Sequence, residues 1–483
     1  MINNTIIRGK IMLEVINKYV IGNSVPTVLI LAGVFFLIAL RGRPVIYPKR
    51  MLTAMLDAGK KDESVKDEER ISPFRSMTMA LAGTLGVGNI VGVASAIAMG
   101  GFGAVFWMWV SAFAAMILKY AEIVLAIAHR RKGSDGTLRG GAVYYIKKCF
   151  ENMKLPKVGI ILSAIFAVLC IVDSLSMGCI VQVNAVSSAF NGVLGVPEWI
   201  CGVILAFITV TVISRGSKSI SKITEYLVPV MAIGYVIMSV AVMILCRERL
   251  WEAVTRIFYD AFNFKSTVGG IFGFLTSDAL RYGTMRGLLS NEAGCGTAPF
   301  AHSTSSVKEP ARQGVWGIFE VFADTILLCS MTAAVIILNY DACCAFSADG
   351  VMMTLRAYSA VIGRGAEYFL CIAIFLFAYA TLICWAHYGL ECVAYLTMPI
   401  SRRGQSTARR VYILLFCICI FVGSVVAPTE VWTLADLSIG SMTLINVLVL
   451  CLSVSQVRYY TDRVFPKRKR LSGQPKDCSE SRC

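Results

Sequence analysis

The sequence predicts an all-α integral membrane protein with about 11 transmembrane helices. Three observations predict this class: long apolar blocks, few charged residues, and basic residues concentrated in alternate loops. Of the 483 residues, 57% are hydrophobic and 16% are charged, against roughly 25% charged in an average soluble domain. A bilayer core requires about 20 consecutive apolar residues per helix, and the mean hydropathy of +0.68 reflects many such blocks.

The same composition argues against several other classes of protein. The net charge of +16 comes without any basic run interleaved with aromatic residues, so we predict no nucleic-acid partner. The 17 cysteines lie mostly inside apolar stretches and include no CxxC pair, so we predict no disulfide framework, no organic cofactor and no metal centre apart from a coupling Na⁺. The chain has 3 histidines, no HExxH motif and no GxxxxGK[ST] motif, which argues against an enzyme or an ATP-driven pump.

Apolar blocks bounded by charges or by Pro and Gly give the candidate spans. They run over 20–41, 77–98, 103–128, 158–190, 197–214, 225–246, 268–287, 315–338, 366–395, 411–428 and 431–454. Of the 46 Lys and Arg residues, 34 fall in the loops on one side of these spans and 9 on the other. Because basic loops stay in the cytoplasm, we predict a cell-membrane protein with its N-terminus outside and its C-terminus inside.

The ten spans after the first divide into two sets of five. We therefore predict an N-terminal extra helix and cytoplasmic linker (1–76), a first five-helix repeat (77–246), a second repeat (268–454) and a basic cytoplasmic tail (455–483). An odd number of helices per half places the two halves in opposite orientation, as in inverted-repeat transporters.

Glycine clusters interrupt the first helix of each half, at 83–89 and at 269–273. Close helix packing through small residues explains either cluster alone, but matching positions in both halves favour two broken helices. Backbone in hydrocarbon must keep its hydrogen bonds, so a broken helix lines a cavity. Its free N–H groups suit a carboxylate and its free carbonyl ends suit a cation. Two such breaks predict a site for a zwitterionic amino acid and a companion cation.

Polar residues within spans are further candidates for this site. Asn89 follows the first glycine cluster, and its amide can both donate and accept, although a local bond to backbone would also explain it. Gln182 and Asn184 either contact the substrate or form hydrogen bonds between helices. Thr381 and Trp385, at i and i+4, share one helix face, where they form either a ligand wall or ordinary packing.

Acidic residues inside spans are costly and are commonly functional. They are Glu122, Asp173, Asp278, Glu320, Asp324, Glu391 and Asp436. Lys119 and Glu122 are three residues apart and can satisfy each other. Asp324 and Asp436 fit either structural networks or a proton relay.

The order of these motifs resembles the alanine/glycine:cation symporter family, which has a leucine-transporter-type fold. The strongest blocks are residues 86–94, GGFGAVFWMWVSAF (100–113) and SNEAGCGTAPFAH (290–302). Weaker support comes from GGAVYYI (140–146), VQVNAV (181–186), EVFADT (320–325) and TLICWAHYG (381–389). The resemblance covers about residues 70–445.

The resemblance implies symport of a small neutral amino acid, such as alanine or glycine, with Na⁺ or H⁺. The substrate contacts it implies are Thr84, Gly86, Gly88, Asn89, Gln182, Ile271, Phe272, Thr381 and Trp385. The cation contacts it implies are Gly86, Val87, Asn89, Ala380 and Thr381. Several residues depart from the family pattern, with a mild change at Cys295 and Thr297. Val87 stands where Thr is frequent and Ala380 where Ser is frequent, and each lacks a hydroxyl oxygen; Phe102 and Ala142 replace prolines.

The mechanism expected from these features is alternating access, with Asn291 and Glu292 in the 288–314 loop controlling the cytoplasmic exit. A structured loop without a gating role is the simpler explanation of that segment. Two other classes stay open: an amino-acid sensor with a transporter fold, and a channel for a different small solute.

Overall fold

A computed structural model describes residue 17 and residues 21–46, 48–58, 71–132, 138–262, 277–426 and 429–466. The described chain is helical almost throughout, as the sequence predicts. Within these ranges the exceptions are one short antiparallel pair, β1 (Arg131–Lys132) and β2 (Leu138–Arg139), and an isolated parallel bridge between Ile71 and Ser305.

The helices of the first part of the chain run to residue 262. They are α1 (Gly22–Ala39), α2 (Arg43–Ile46), α3 (Pro48–Ala58), α4 (Pro73–Thr84), α5 (Val91–Gly100), α6 (Gly103–His129), α7 (Ala142–Asn152), α8 (Pro156–Leu175), α9 (Gln182–Leu194), α10 (Glu198–Ile213), α11 (Ser217–Leu245) and α12 (Leu250–Phe262). Short 3₁₀ turns cover Val87–Asn89 and Arg247–Arg249, and a π-helical turn, Ser176–Val181, joins α8 to α9.

The helices of the second part begin at residue 278. They are α13 (Asp278–Asn291), α14 (Ala298–His302), α15 (Pro310–Val321), α16 (Ser330–Leu338), α17 (Tyr340–Cys343), α18 (Gly350–Ile362), α19 (Arg364–Leu396), α20 (Arg402–Val425), α21 (Thr429–Leu452) and α22 (Val454–Val464). A 3₁₀ turn covers Cys344–Phe346, and a π-helical segment, Phe322–Cys329, joins α15 to α16.

The described residues contain eight helices long and apolar enough to cross a membrane, or nine if the bent pair α4 and α5 counts as one span. The all-α membrane class is confirmed, whereas the expected number of eleven spans is not. Of the other expected spans, α10 has 16 residues, and 268–287 is described only from residue 277, with α13 (14 residues) beginning at 278. The bent pair α4 and α5 misses a length criterion because each of its arms is shorter than a full span.

The spans differ in how deeply they are buried in the protein. In α6 and α19, 89% and 72% of the most apolar window is buried, against 28% in α11 and in α20. The helices α6 and α19 therefore form the interior of the bundle, and α11 and α20 lie at its perimeter. Exposed apolar side chains such as Ile237 on α11 and Leu414 on α20 are expected where lipid is the solvent.

The first interruption is confirmed at the predicted glycine cluster. Helix α4 begins after Ser72, whose hydroxyl accepts from the Arg75 N–H at 3.1 Å, and it ends at Thr84. Gly86 then has extended backbone torsions, and α5 continues at an angle of 58°. The segment 85–90 between the two arms is called the first break.

The structure also contains an interruption that the sequence did not predict. The predicted cluster at 269–273 falls outside the described residues, and it stays a prediction. Among the described residues, the helix is interrupted between α13 and α14, at residues 292–297, called the second break. Gly294 and Gly296 have φ of +92° and +84°, and Glu292 is also left-handed at +52°, so the α-helix cannot continue there.

This geometry shows that the expected loop 288–314 is partly helical and is largely buried in the protein. Residues 288–291 complete α13, residues 298–302 form α14, and the whole stretch from 283 to 303 is buried. A polar, glycine-rich sequence is common to an exposed loop and to an unwound segment inside a bundle, and only burial distinguishes the two.

Candidate functional site

The first break frees backbone groups that distant side chains then satisfy. In an unbroken helix the Ala82 carbonyl would accept from the Gly86 N–H, but that N–H donates to the Thr84 carbonyl at 2.8 Å. The Thr381 hydroxyl, on α19, lies 3.0 Å from the Ala82 carbonyl and 3.1 Å from the Phe377 carbonyl of its own helix. It therefore takes the place of the missing helix donor.

Gln182 binds the first break from the other side. Its side-chain oxygen accepts from the Val87 N–H at 3.0 Å, while its side-chain nitrogen donates to the Met177 carbonyl at 3.2 Å. Gln182 follows the π-helical turn Ser176–Val181, and such turns frequently mark functional sites because they redirect side chains within a helix.

Gly86 is the point where these groups converge. A Cβ atom built on Gly86 would lie 2.6 Å from the Thr381 hydroxyl and 2.8 Å from the Gln182 side-chain oxygen, closer than real Cβ contacts. At Gly88 the nearest atom, Cα of Ser290, is 3.4 Å away, which is an ordinary contact. The sequence-predicted residues Gly86, Gln182 and Thr381 are therefore brought together around one backbone position.

Asn89, at the end of the first break, connects to the second half through Asp324. Its side-chain nitrogen donates to the Asp324 carboxylate at 2.7 Å, and its backbone carbonyl accepts from the Thr332 hydroxyl at 2.8 Å. The side-chain oxygen of Asn89 is buried and has no hydrogen-bond partner. Such an orphaned acceptor inside a protein requires an explanation.

Asp324 gathers a set of oxygen atoms around it. The hydroxyls of Ser290 and Thr325 each donate to the second carboxylate oxygen of Asp324 at 2.8 Å. All three residues and Asn89 are at most 1% exposed. Asp324 itself lies in the π-helical segment Phe322–Cys329. We call Asn89, Ser290, Asp324 and Thr325 the Asp324 cluster.

Trp385 contacts the second break rather than the first. Its indole N–H donates to the Glu292 carboxylate at 2.9 Å, and the other carboxylate oxygen accepts from the Thr297 hydroxyl at 2.6 Å. The ring packs against Gly178, which has no space for a Cβ atom. Thr381 and Trp385 share a helix face, as predicted, and each satisfies a different break.

Charged side chains of α6 hold the backbone of the second break. The Lys119 ammonium donates to the Asn291 carbonyl at 2.7 Å and pairs with Glu320 at 2.9 Å. The Glu122 carboxylate accepts from the Gly296 N–H at 2.9 Å and from the Asn446 amide. The expectation that Lys119 and Glu122 satisfy each other is therefore wrong, because the unwound backbone offers each of them a separate partner.

The remaining predicted residues have varied surroundings. Thr84 donates to the Leu81 carbonyl at 3.2 Å within its own helix, and Val87 and Ala380 are buried without side-chain oxygens. Asn291 donates to the Thr325 hydroxyl at 3.0 Å and Glu292 is 3% exposed, so neither is a surface loop residue. Ile271 and Phe272 lie outside the described residues.

A family comparison identifies what this arrangement belongs to. The sequence profile of the sodium:alanine symporter family matches residues 7–476. The chain belongs to the sodium:alanine symporter family. The predicted resemblance is confirmed, and the protein is a cation-coupled amino-acid symporter rather than an enzyme.

Individual relatives of this family support the assignment. The chain is 34% identical over 445 residues to the sodium/alanine symporter AgcS of Methanococcus maripaludis, covering 91% of this chain and 94% of the relative. It is 32% identical to the probable sodium/glutamine symporter GlnT of Bacillus subtilis, covering 92% and 88%. It is also 33% identical to the amino-acid carrier protein AlsT of Bacillus subtilis, covering 86% and 84%.

Solved structures agree on the fold of this family member. The crystal structure of MhsT in complex with L-phenylalanine superimposes with a TM-score of 0.50 at 14% identity, covering 83% of this chain and 98% of that chain. A manganese transporter of Eremococcus coleocola gives 0.50 at 13% identity, covering 82% of each chain. The leucine-transporter-type fold and the multi-pass membrane character are confirmed.

Sequence reasoning missed part of the symporter's polar interior. It did not single out Ser290, although this residue begins the SNEAGCGTAPFAH block, and it treated Asp324 only as a network or relay residue. A usable signal was present: Asp324 lies in the EVFADT block, inside an apolar span, where an acidic residue is costly.

Proposed function

We propose that the chain carries a small neutral amino acid, alanine or glycine, into the cell together with Na⁺. The observation that supports this most is the convergence of Thr381 and Gln182 on Gly86 in the first break. The named relatives include both an alanine and a glutamine symporter, so the family alone leaves the substrate open.

The substrate carboxylate would bind at the first break. In the structure, the Gln182 oxygen occupies the acceptor position on the Val87 N–H. A substrate carboxylate would accept from the same N–H, because free helix N–H groups carry partial positive charge. Thr84, Gly88 and Trp385 complete the proposed contacts, with Ile271 and Phe272 contributed by residues outside the described ranges.

Crowding at Gly86 favours a small substrate. Gln182 and Thr381 lie so close to Gly86 that a Cβ on this residue would collide with both, so little space surrounds the backbone at this position. A larger side chain on the substrate would have to displace Trp385 from Glu292 and Gly178, and so break a bond to a carboxylate.

The Asp324 cluster is our first candidate for the Na⁺ site. Its donor set consists of carboxylate, hydroxyl and amide oxygens, which suit a hard cation. The unpartnered oxygen of Asn89 fits this assignment, since a cation would complete its coordination. A second candidate is the carbonyl end of α4 with Gly86, Val87, Ala380 and Thr381. There Val87 and Ala380 could supply only backbone oxygens.

Transport would proceed by alternating access. We propose a cell-membrane location with the N-terminus outside and the C-terminus inside, on the charge asymmetry of the loops. Asn291 and Glu292, at the start of the second break, would control passage toward the cytoplasm. Moving one charge through 100 mV supplies about 2.3 kcal/mol, enough for roughly 40-fold accumulation without nucleotide.

Uptake by the full chain in liposomes tests this function. We expect radiolabelled alanine or glycine to accumulate when Na⁺ is added outside and not when K⁺ replaces it. Collapse of the Na⁺ gradient should abolish accumulation. Passive alanine flux that does not depend on the Na⁺ gradient would support a channel. Alanine binding without counterflow would support a sensor. Either result would overturn the proposal.

Two variants test the sites. Gln182→Ala should lower uptake by about 10-fold or more, because it removes the amide that is a proposed substrate contact and that holds the first break. Asn184→Ala is the matched control, since this amide two residues away bonds only to the Val426 carbonyl.

Asp324→Asn should raise the Na⁺ concentration for half-maximal uptake by about 10-fold or more, since it removes the charge that faces the ion. Unchanged Na⁺ dependence would remove the Asp324 cluster from the coupling site.

A further inference from the structure

A second buried cluster of titratable groups lies away from the first break. Lys119, His302, Gln313 and Glu320 are each at most 1% exposed, and they come from α6, α14 and α15. Glu320 binds Lys119 through one carboxylate oxygen at 2.9 Å and His302 through the other at 3.1 Å. Transport as proposed above gives no role to His302.

The hydrogen bonds determine the state of His302 in this structure. The Gln313 side-chain nitrogen lies 2.8 Å from Nδ1 of His302. An amide nitrogen only donates, so Nδ1 must accept, and Nε2–H donates to Glu320. The imidazole is therefore neutral in this arrangement.

The shell around Gln313 can also accommodate a protonated imidazole. The Gln313 nitrogen donates to the Ser76 hydroxyl at 3.1 Å, and its oxygen accepts from the Ser305 hydroxyl at 2.9 Å. Rotating the amide by 180° exchanges its oxygen and nitrogen. The oxygen would then accept from Nδ1–H of His302 and from Ser76, and the nitrogen would donate to Ser305. Both atoms of the flipped amide keep a partner, because hydroxyls can donate and accept, although the Ser76 hydroxyl then leaves the Pro73 carbonyl.

We propose that His302 is a proton-binding site that opposes Na⁺ binding at the Asp324 cluster. The proposal rests on the proposed function for its Na⁺ site. A proton on His302 adds a second positive charge beside Glu320 and competes with Lys119 for that carboxylate. Hydrogen bonds connect Lys119 to the Asp324 cluster: its ammonium donates to the Asn291 carbonyl, the Asn291 amide donates to the Thr325 hydroxyl, and that hydroxyl donates to Asp324. Weaker compensation of the Lys119 charge by Glu320 therefore disfavours a cation at Asp324.

Other charged or titratable groups around this cluster are accounted for. The carboxylates of Glu122, on α6, and Glu292, at the second break, interact electrostatically with Lys119, and Tyr388 faces the cluster from α19. Arg75, on α4, forms an ion pair with Glu225. The Arg130 guanidinium donates to the carbonyls of Ser305 and Val307. The histidine is the member of this set whose ordinary titration falls between pH 5 and 8.

Linkage gives the direction of the effect. If Na⁺ at the Asp324 cluster disfavours the proton on His302, the proton disfavours Na⁺ by the same factor. At the low end of the usual range for coupled sites, binding of one ligand changes the affinity for the other by about 5-fold. Uptake should therefore need more Na⁺ at acid pH than at neutral or alkaline pH.

The first experiment measures Na⁺-driven alanine uptake by the full chain in liposomes held at about pH 6 or about pH 8 on both sides. In the wild type we expect the Na⁺ concentration for half-maximal uptake to be about 5-fold higher at the lower pH. His302→Gln keeps an amide donor but cannot titrate, and should remove this difference. His129→Gln, which loses only a bond to Gln456, should retain it. The proposal is overturned if the Na⁺ concentration for half-maximal uptake differs between the two pH values in His302→Gln as much as in the wild type. It is also overturned if the wild type shows no difference.

The second experiment does not depend on transport. The chain has 3 histidines, so ¹⁵N-histidine NMR with His129→Gln and His387→Gln assigns the His302 signals without changing His302. We expect conversion from the Nε2–H tautomer to imidazolium as the pH falls, with a lower midpoint in Na⁺ than in K⁺. The inference is overturned if His302 keeps one protonation state over the whole pH range. It is also overturned if the midpoint of its titration is the same in Na⁺ and in K⁺. Absence of uptake at every pH would count against the proposed function alone.

Discussion

The two breaks differ in the chemistry that holds their free backbone groups. At the first break the partners are neutral: the Thr381 hydroxyl near the Ala82 carbonyl and the Gln182 amide on the Val87 N–H. At the second break the partners are charged, with Lys119 on the Asn291 carbonyl and Glu122 on the Gly296 N–H.

This difference indicates that the two breaks have different roles in transport. A neutral hydrogen bond contributes about 1 kcal/mol net, so a ligand of similar chemistry can replace it. Removing one partner from a buried charge pair costs about 3–5 kcal/mol. We therefore expect the first break to exchange partners during transport, and the backbone of the second break, which Lys119 and Glu122 hold, to keep its shape.

The largest expected effect comes from disrupting the second break. Lys119→Met leaves Glu320 without its ammonium partner and the Asn291 carbonyl without its donor. We expect it to lower the free energy of unfolding by about 3–5 kcal/mol, measured by thermal and denaturant unfolding in detergent.

Lys148→Met is the control for that experiment. Lys148 is 45% exposed and pairs with Glu151 at 3.3 Å, a surface contact worth at most about 1 kcal/mol. Equal loss of stability in the two variants would contradict the special role of charge at the second break.

A smaller effect, on transport more than on stability, is expected at the first break. Gly86→Ala places a methyl group against Thr381 and Gln182, and overpacking of this kind costs about 1–3 kcal/mol. We expect alanine uptake to fall by about 5- to 150-fold while the protein still folds. Gly88→Ala, whose added methyl group makes only ordinary contacts, should stay within about 3-fold of the wild type. Similar uptake in both variants would show that Gly86 is not the constricted position.

The smallest effect tests a single hydrogen bond. Thr381→Val keeps the shape of the side chain but removes the hydroxyl that serves the Ala82 carbonyl. We expect a loss of about 1–2 kcal/mol, read as roughly 5- to 30-fold lower uptake, with Thr381→Ser restoring most of it. Failure of serine to restore uptake would mean that the methyl contact of Thr381, and not its hydroxyl, is what matters.

Much of the first break was predictable because its signal is local. Glycines at 83, 86 and 88 followed by Asn89 lie inside one apolar block, and hydropathy and glycine content are properties of neighbouring residues. The second break was missed for the same reason. Residues 292–297 looked like part of a polar loop, and their burial depends on distant helices. The predicted interruption at 269–273 lies outside the described residues.

The sequence by itself determined the membrane class, the family, the first break and the shared face of Thr381 and Trp385. These follow from hydropathy, motif order and helical periodicity, which act over short stretches of chain. Only the tertiary structure decided that Lys119 binds Asn291, that Asn89 meets Asp324 and that Trp385 reaches Glu292. These partners are about 90 to 240 residues apart, and each pairing is selected by which buried donor finds an unsatisfied acceptor when the helices pack.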